Sequence, residues 1–275
     1  INVKAGNTMF SSENGVLYNK NKSRLILYPA GKKDSSYKIP DSVTEIECNG
    51  FYGNPYIKDI IFPENSTGGI TLHSTAITKC SALKQLYIPS NVNKLNWLAV
   101  GYDIDALTAV DSTIYERYKN QQFAIAGFTG SAAETYANDN NITFKAVHYV
   151  SFANISESYE KKKVINGEKY GTLPIPQKEG YTFEGWFTSE VGGSQINENS
   201  TVSVTGDQTL YAHWKSGVQA PEVLGQPVDV EEHYGDPAVF TVSANTAECQ
   251  YQWYQASGKE SEGTVIEGAT EYRLT

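Results

Sequence analysis

The sequence predicts a multidomain, mainly β protein: a stacked repeat solenoid with short helices, followed by two smaller β modules. Three observations support this prediction. The 275 residues suit two or three domains of roughly 100 to 200 residues each. Strand patterns ending in proline recur in the first half of the chain. The 19 Tyr outnumber the 10 Phe and 4 Trp, a composition typical of half-exposed β surfaces.

The recurring unit is clearest when the first half is aligned on Pro40, Pro63 and Pro89, which lie 23 and 26 residues apart. A period in the twenties is typical of a solenoid whose units stack on one another. The positions one and three residues before each proline are apolar or aromatic, the pattern of a short strand with one buried face. These positions hold Tyr37, Ile39, Ile60, Phe62, Leu86 and Ile88, which we expect in the core.

The repeat resembles a known family. The pattern I-P-x-S-V-x-x-I…F-x-G-N…I-K-x-I-x-F-P, which begins at Ile39, resembles the bacterial surface leucine-rich repeats of the BspA type. Residues 10–40 resemble the entry segment of that family, and two β runs around a polar turn independently predict a hairpin there. The resemblance implies a BspA-type leucine-rich repeat domain with caps over residues 1–147.

The end of this domain has its own signals. Residues 128–147 resemble the closing unit of the family, and Ser131 with Glu134 forms a capping box that predicts a short helix. The stretch 107–127 departs from the family pattern, and its segment STIYERYKNQQF (112–123) predicts a helical turn.

Residues 148–215 change to longer alternating strands. They resemble the Listeria-Bacteroides repeat, also called the internalin-type B repeat, through YGTLP at 170–174, GYTFEGWF at 180–187 and TLYAHW at 209–214. Leu210, Ala212 and Trp214 alternate in the last strand, so we expect them to point inward. The resemblance implies a small β-grasp-like module.

Residues 222–275 resemble part of a bacterial immunoglobulin-like domain. The segments QPVDV, DPAVFTVSA, CQYQWYQ and GATEYRLT resemble strands A, B, C and E, with Trp253 as the buried strand C tryptophan. Only a partial immunoglobulin-like β-sandwich is expected, with strands F and G missing. Residues 216–275 hold 2 Lys or Arg against 10 Asp or Glu, so this module is strongly acidic.

Charge and hydropathy exclude two classes of partner. The net charge is −9, and no segment is basic enough to follow a phosphate backbone, which argues against nucleic acid. No apolar run approaches the roughly 18 residues of a membrane span, so direct membrane insertion is not expected. The three cysteines form no C-x-x-C pair, which disfavours a disulfide scaffold or a zinc site.

The sequence also predicts a protein that is not an enzyme and has no cofactor or metal. It contains no H-E-x-x-H, G-x-S-x-G, P-loop or G-x-G-x-x-G motif, and its four histidines are spread over three modules. Cys80 lies where the repeat family tolerates a buried cysteine, so a structural role is expected rather than that of a nucleophile. Asp103 and Asp105 provide too few ligands for calcium.

The candidate binding residues lie on strand positions that face away from the core. Lys38, Ile61 and Tyr87, each two residues before its proline, should form a row across the solenoid strands, with Asp59 and Gln85 beside it. Weaker aromatic candidates are Tyr52, Tyr56, Trp97 and Tyr102. The alternative is that these side chains only cover neighbouring turns.

Two functions remain open from the sequence. The first is a non-catalytic bacterial cell-surface protein that binds a host extracellular protein or glycan through the repeats, with the other modules as a stalk. The second is a set of accessory binding modules of a larger secreted enzyme. Both place the chain outside the cell or on its surface. A spacer without any ligand is a third reading.

Overall fold

The protein is described by a computed structural model that covers residues 1–64, 68–103, 119–217, 222–231, 237–245, 249–258 and 263–275. Most of the predicted helical turn at 112–123 lies outside these residues, as do Asp105 and His233. The described chain is mainly β with one short helix, as predicted. None of its helices is both long and apolar enough to cross a membrane.

The chain divides into two compact units, one formed by residues 1–176 with 183–213 and the other by residues 177–182 with 214–275. The strands before the helix are β1 (Phe10–Glu13), β2 (Val16–Asn19), β3 (Arg24–Leu27), β4 (Ser36–Lys38), β5 (Glu45–Ile46), β6 (Asp59–Ile61), β7 (Ile70–Leu72), β8 (Gln85–Tyr87), β9 (Val92–Leu95) and β10 (Ala124–Gly127). After helix α1 (Ala132–Asp139) come β11 (Thr143–Ala153), β12 (Lys162–Ile165), β13 (Tyr181–Phe187), β14 (Gln195–Ile196) and β15 (Gln208–Ser216).

The repeats stack as a solenoid. Antiparallel strands β2 and β3 form the predicted entry hairpin, and β1 pairs antiparallel with β2 outside it. Strand β3 leads into the parallel order β3-β5-β7-β9. A second set of strands pairs β4 with β6 and β8 with β10, also in parallel. A third contact between coils runs through the turns, where the Phe51 amide donates to the Ala76 carbonyl and the Ile77 amide donates to the Ala99 carbonyl, both at 2.8 Å.

The solenoid core contains the residues that the period predicts. Ile39, Ile60, Phe62, Leu86 and Ile88 are buried. Tyr37 is half-buried, and its ring centre lies 4.8 Å from that of Tyr28 and 5.9 Å from that of Phe51. The two-residue alternation within each short strand therefore identifies the buried face.

Helix α1 closes the solenoid. Ser131 caps it, since its hydroxyl accepts a hydrogen bond from the Glu134 amide at 3.4 Å. The Glu134 carboxylate accepts a hydrogen bond from the Gly130 amide at 2.6 Å. In a capping box this bond would come from the amide of the N-cap residue, Ser131, which is one residue later. The buried Ala133, Tyr136 and Ala137 join the core and cover the last coil, as an end cap must.

Strand β11 belongs to the solenoid and to the following segment at once. Its residues 143–146 pair in parallel with β10, while residues 150–153 pair in parallel with β15. Strand β12 pairs antiparallel with residues 147–150, and the sheet continues from β15 to β13 and β14. The predicted boundary between residues 147 and 148 falls inside this strand. Leu210 and Ala212 of β15 are buried, and Trp214 is half-buried.

The second unit contains short strands after residue 221. They are β16 (Val223–Gly225), β17 (Phe240–Thr241), β18 (Ser243–Ala244), β19 (Tyr254–Gln255), β20 (Thr264–Val265) and β21 (Arg273–Leu274). The segment QPVDV is not a strand; the strand lies just before it, at β16. Trp253 is half-buried rather than buried, and its indole donates to the Glu271 carbonyl at 2.8 Å.

Candidate functional site

The outward face of β4 and β6 carries three of the predicted binding residues. Lys38 and Ile61 are direct partners across the parallel pair, and Asp59 is the partner of Ser36. All four side chains are exposed, and Ile61 keeps 44% of its surface accessible. The Ser36 hydroxyl donates to the Asp59 carboxylate at 3.4 Å. An exposed aliphatic side chain thus lies beside a cation and close to a carboxylate.

The predicted row of outward residues is less exposed at Tyr87 than at Lys38 and Ile61. This side chain is half-buried, and the Lys163 ammonium of β12 lies 5.4 Å from its ring centre. Lys163 also pairs with the Glu64 carboxylate. Burial raises the pKa of Tyr87, and its hydroxyl has no hydrogen-bond partner among the described residues. Tyr87 therefore exposes less surface than Lys38 and Ile61, because the Lys163 side chain covers part of its ring, and its role in binding stays a prediction.

The weaker aromatic candidates divide in the same way. Tyr56 and Trp97 are exposed, with 42% and 52% of their surfaces accessible. Tyr52 is half-buried, with the Lys79 ammonium 5.9 Å from its ring centre. Tyr102 is only 4% exposed, and its hydroxyl donates to the Asn140 side chain at 2.9 Å. Tyr102 is therefore a core residue and not a surface contact.

Contacts on both sides of β11 attach the β12 segment to the solenoid. The Phe128 ring, just after β10, stacks on that of Tyr149 with centres 5.0 Å apart. Tyr149 is the cross-strand partner of Lys163, and Lys145 pairs with the Glu168 carboxylate. These contacts hold β12 and the turn at Glu168 against the end of the solenoid.

A trough on the outward side of β8, β10 and β11 contains the fifth predicted residue, Gln85. Its volume is about 480 Å³. It is lined by Lys84, Gln85, Gln121, Gln122, Phe123, Ala124, Thr143, Lys145 and Glu168, which we call the glutamine trough. Only Gln85 among these residues was predicted from the sequence. The others come from segments that are distant in sequence and meet only in the folded chain.

Asn54 is a structural residue of the solenoid, in the turn that follows Phe51. It is fully buried, and its amide group donates to the Pro29 and Lys32 carbonyls at 3.0 and 2.8 Å. Its side-chain oxygen accepts from the Tyr56 and Ile57 amides, both at 2.9 Å. Asn54 thus holds the turn that presents Tyr56 against the preceding coil.

The titratable groups of the solenoid form one notable cluster. The Arg24 guanidinium lies 3.1 Å from the Glu45 carboxylate and 3.0 Å from that of Glu47, and the His73 imidazole lies 2.9 Å from Glu45. The hydrogen bond from His73 and the pairing with Arg24 lower the pKa of Glu45. The ligand atoms of Glu45, Glu47 and His73 lie close enough together to hold a metal ion. The Arg24 guanidinium already pairs with both carboxylates, which argues against a metal there. We read the group as an ion-pair network across three coils.

The cysteine singled out in the sequence is buried. The Cys80 thiol donates to the Phe51 carbonyl at 3.1 Å, and burial raises its pKa to about 12. A thiol with such a pKa is almost entirely protonated at neutral pH and is a poor nucleophile.

Three solved structures resemble this chain. A leucine-rich repeat protein from Eubacterium ventriosum is 22% identical with a TM-score of 0.33, over 47% of this chain and 30% of that one. The pneumococcal vaccine antigen PcpA is 18% identical with a TM-score of 0.26, over 52% and 49%. A leucine-rich cell surface protein from Faecalibacterium prausnitzii is 19% identical with a TM-score of 0.30, over 50% and 38%.

The chain therefore spans less than half the length of each of these proteins. The family comparison is more specific. The segment from residue 148 to residue 213 matches the family model of the Listeria-Bacteroides repeat domain. The resemblance predicted for residues 148–215 is thus confirmed over residues 148–213 by the match to this family model.

Proposed function

We propose that this chain is a non-catalytic part of a bacterial surface protein, which binds a host extracellular protein or glycan through the strand face of the solenoid. The Listeria-Bacteroides repeat domain and the BspA-type repeat pattern support an extracellular or surface location. The remaining modules serve as a stalk. The observation that carries the proposal is the exposed, register-matched pair of Lys38 and Ile61.

The chemistry of this pair suits recognition. Ile61 offers an apolar side chain that a partner would remove from water, a gain of roughly 1.5 to 3 kcal/mol when burial is complete. Lys38 and Asp59 are exposed beside it and supply opposite charges that orient a partner. Tyr56 and Trp97 are further exposed aromatic side chains of the kind that dominates binding surfaces.

The test is a binding screen of the full chain against extracellular-matrix proteins and host glycans. In a partner found this way, Ile61→Asp combined with Lys38→Glu should weaken binding at least about tenfold, since an apolar contact is lost and a charge is reversed. The control is Val191→Asp, at another exposed β-branched residue. Unchanged binding by the Ile61→Asp, Lys38→Glu variant, with its thermal unfolding intact, would refute the proposal.

The domain organisation belongs to the same proposal. We assign residues 1–147 to the repeat domain, 148–215 to a β-grasp-like module and 222–275 to an immunoglobulin-like module. Antiparallel pairing of β16 with β18 and of β17 with β21 supports the last assignment, because strands A, B and E are neighbours in that order in one immunoglobulin sheet. Cross-strand NMR contacts between Phe240 and Leu274 would test it; their absence would argue against this assignment.

A further inference from the structure

The glutamine trough has a floor made by three strands at one level. Ala124 of β10 is the direct partner of Gln85 in β8 and of Thr143 in β11. A methyl group thus lies between two longer side chains, which leaves a depression in the outward surface of the sheet. The Phe123 ring lines the trough beside Ala124 and is nearly buried.

Five of the polar side chains around this floor have no side-chain partner among the described residues. Lys84, Gln85, Gln121, Gln122 and Thr143 make no side-chain hydrogen bond or ion pair within the described part of the chain. Elsewhere in the solenoid, polar side chains such as Asn54 hold neighbouring coils together. These five polar side chains, unpaired among the described residues, surround one concave floor and provide several donors and acceptors at once, an arrangement that suits a ligand rich in hydroxyl groups.

An extended peptide fits the trough less well than a sugar. Peptides commonly bind sheets by adding a strand to a free edge, where main-chain groups are available. Strand β10, which forms the centre of the floor, is paired on both sides, with β8 and with β11. Ligand recognition in the trough must therefore use side chains. Three glutamine amides, each with donors and an acceptor, match neighbouring hydroxyl groups.

The charge of the glutamine trough indicates which class of sugar it would bind. Lys145 pairs with Glu168, so these two charges compensate each other. Lys84 is an exposed cation that has no ion-pair partner among the described residues, on a chain whose net charge is −9. The volume of about 480 Å³ lies within the roughly 300 to 1,000 Å³ typical of small-ligand sites. The trough therefore presents one local positive charge among neutral polar groups.

We propose that the glutamine trough binds a short stretch of an acidic glycan, with Lys84 pairing with a sugar carboxylate and the glutamine amides binding hydroxyl groups. The site lies between the last solenoid strands and the turn that carries Glu168, so it needs the Listeria-Bacteroides repeat as well as the solenoid. This proposal deepens the proposed function and rests on it, because it names a ligand class for the part of the strand face that contains Gln85.

The experiment uses the full chain and two tetrasaccharides, followed by NMR and calorimetry. One is a hyaluronan tetrasaccharide, in which half of the sugars carry a carboxylate; the other is chitotetraose, which carries none. We expect the hyaluronan tetrasaccharide to bind at least about tenfold more tightly, since a charge-assisted hydrogen bond is present only there. Chemical shifts should change at Gln85, Gln122 and Thr143.

Two variants test the site, with one control. Lys84→Gln should weaken the acidic tetrasaccharide about tenfold and leave chitotetraose unchanged, since it removes only the charge. Ala124→Leu should weaken both, because the larger side chain fills the floor. Lys94→Gln removes an exposed lysine from β9, outside the trough, and should change neither. Thermal unfolding of each variant establishes that it is folded.

The outcomes separate this proposal from the proposed function. Absence of saturation by the acidic tetrasaccharide at about 5 mM, equal binding of the two sugars, or shifts confined to other residues would overturn the trough proposal. If one of these results is found and the chain still binds a partner through Ile61, the proposed function stands without the trough. A chain whose trough variants behave as expected while Ile61→Asp changes nothing retains the trough and loses the role of Ile61.

Discussion

The Lys163 ammonium lies 5.4 Å from the centre of the Tyr87 ring and pairs at the same time with the Glu64 carboxylate. Lys163 belongs to the Listeria-Bacteroides repeat, whereas Tyr87 and Glu64 belong to the solenoid. Such a cation over a ring is worth roughly 0.5 to 2 kcal/mol, depending on its exposure to solvent. The contact explains why the strand face is less exposed at Tyr87 than at Ile61.

The unpartnered hydroxyl of Tyr87 predicts an unusual response to mutation. Tyr87→Phe should raise the free energy of unfolding by about 1 kcal/mol, because it removes a buried hydroxyl that has no hydrogen-bond partner among the described residues and keeps the ring beneath Lys163. Urea denaturation would measure the change. A loss of stability would show that the hydroxyl is satisfied in solution.

Tyr136→Phe is the matched control. The Tyr136 hydroxyl donates to the Val100 carbonyl at 3.0 Å and accepts from the Val100 amide at 3.2 Å, in a buried position. Its removal should lower the free energy of unfolding by about 1 to 3 kcal/mol, because two buried main-chain groups lose their partner.

The shared strand β11 predicts cooperative unfolding of the solenoid end with the repeat that follows. Leu210→Ala creates a cavity in the repeat at a fully buried position of β15, at a cost of about 2 to 5 kcal/mol. Because β15 and β10 both pair with β11, hydrogen exchange should become faster in Ala124–Gly127 as well as in β15.

The control for this prediction is Val16→Ala, at a buried position of β2 in the entry hairpin. Its effect on exchange should be largest near the hairpin. Faster exchange in Leu210→Ala confined to β13 and β15, with β10 unchanged, would mean that the two segments unfold independently.

Asn54 predicts a large loss of stability from a small polar change. Asn54→Ala should cost about 2 to 4 kcal/mol in the free energy of unfolding, because four main-chain groups around this buried side chain lose a hydrogen bond. Asn54→Asp keeps the acceptor role but places a carboxylate oxygen against two carbonyls, so it should be more destabilising at pH 7 than at pH 4.

Asn96→Ala provides the comparison for Asn54, because the Asn96 side chain makes no hydrogen bond with the described residues. Its effect should stay within about 0.5 kcal/mol. Similar effects of Asn54→Ala and Asn96→Ala on chemical denaturation would contradict the structural role given to Asn54.

The Glu45 cluster predicts part of the acid sensitivity of the fold. The pKa of Glu45 is lower in the folded state than in the unfolded chain, chiefly because His73 hydrogen-bonds to its carboxylate. Its stabilisation is therefore present at neutral pH and is lost as the pH falls from about 4.3 through the folded pKa. Glu45→Gln should flatten this part of the dependence of unfolding free energy on pH.

His73→Ala tests the cause, since it should return the pKa of Glu45 towards its ordinary value. Carboxyl NMR titration of Glu45 measures this directly, and a control titration in the Lys94→Gln variant should match the unsubstituted chain. An unaltered Glu45 titration in His73→Ala would show that Arg24 alone is responsible.

The local patterns of the sequence predicted the coils and their buried faces. A proline period of 23 and 26 residues, with apolar residues one and three positions before each proline, identified five fully packed core residues and the half-buried Tyr37. The capping box predicted helix α1, and the marks of the Listeria-Bacteroides repeat predicted its segment. These features are encoded within a few residues, because strand alternation and helix capping are short-range effects.

The tertiary structure alone decided which outward positions remain open. Alternation showed that Ile61 and Tyr87 both face away from the solenoid core, but not that Lys163 covers part of one of them. In the same way, Tyr102 becomes a core residue, and residues from 84 to 168 come together in the glutamine trough. The physical reason is that a strand pattern determines the side to which a residue points, whereas exposure depends on the segments, distant in sequence, that pack on that side.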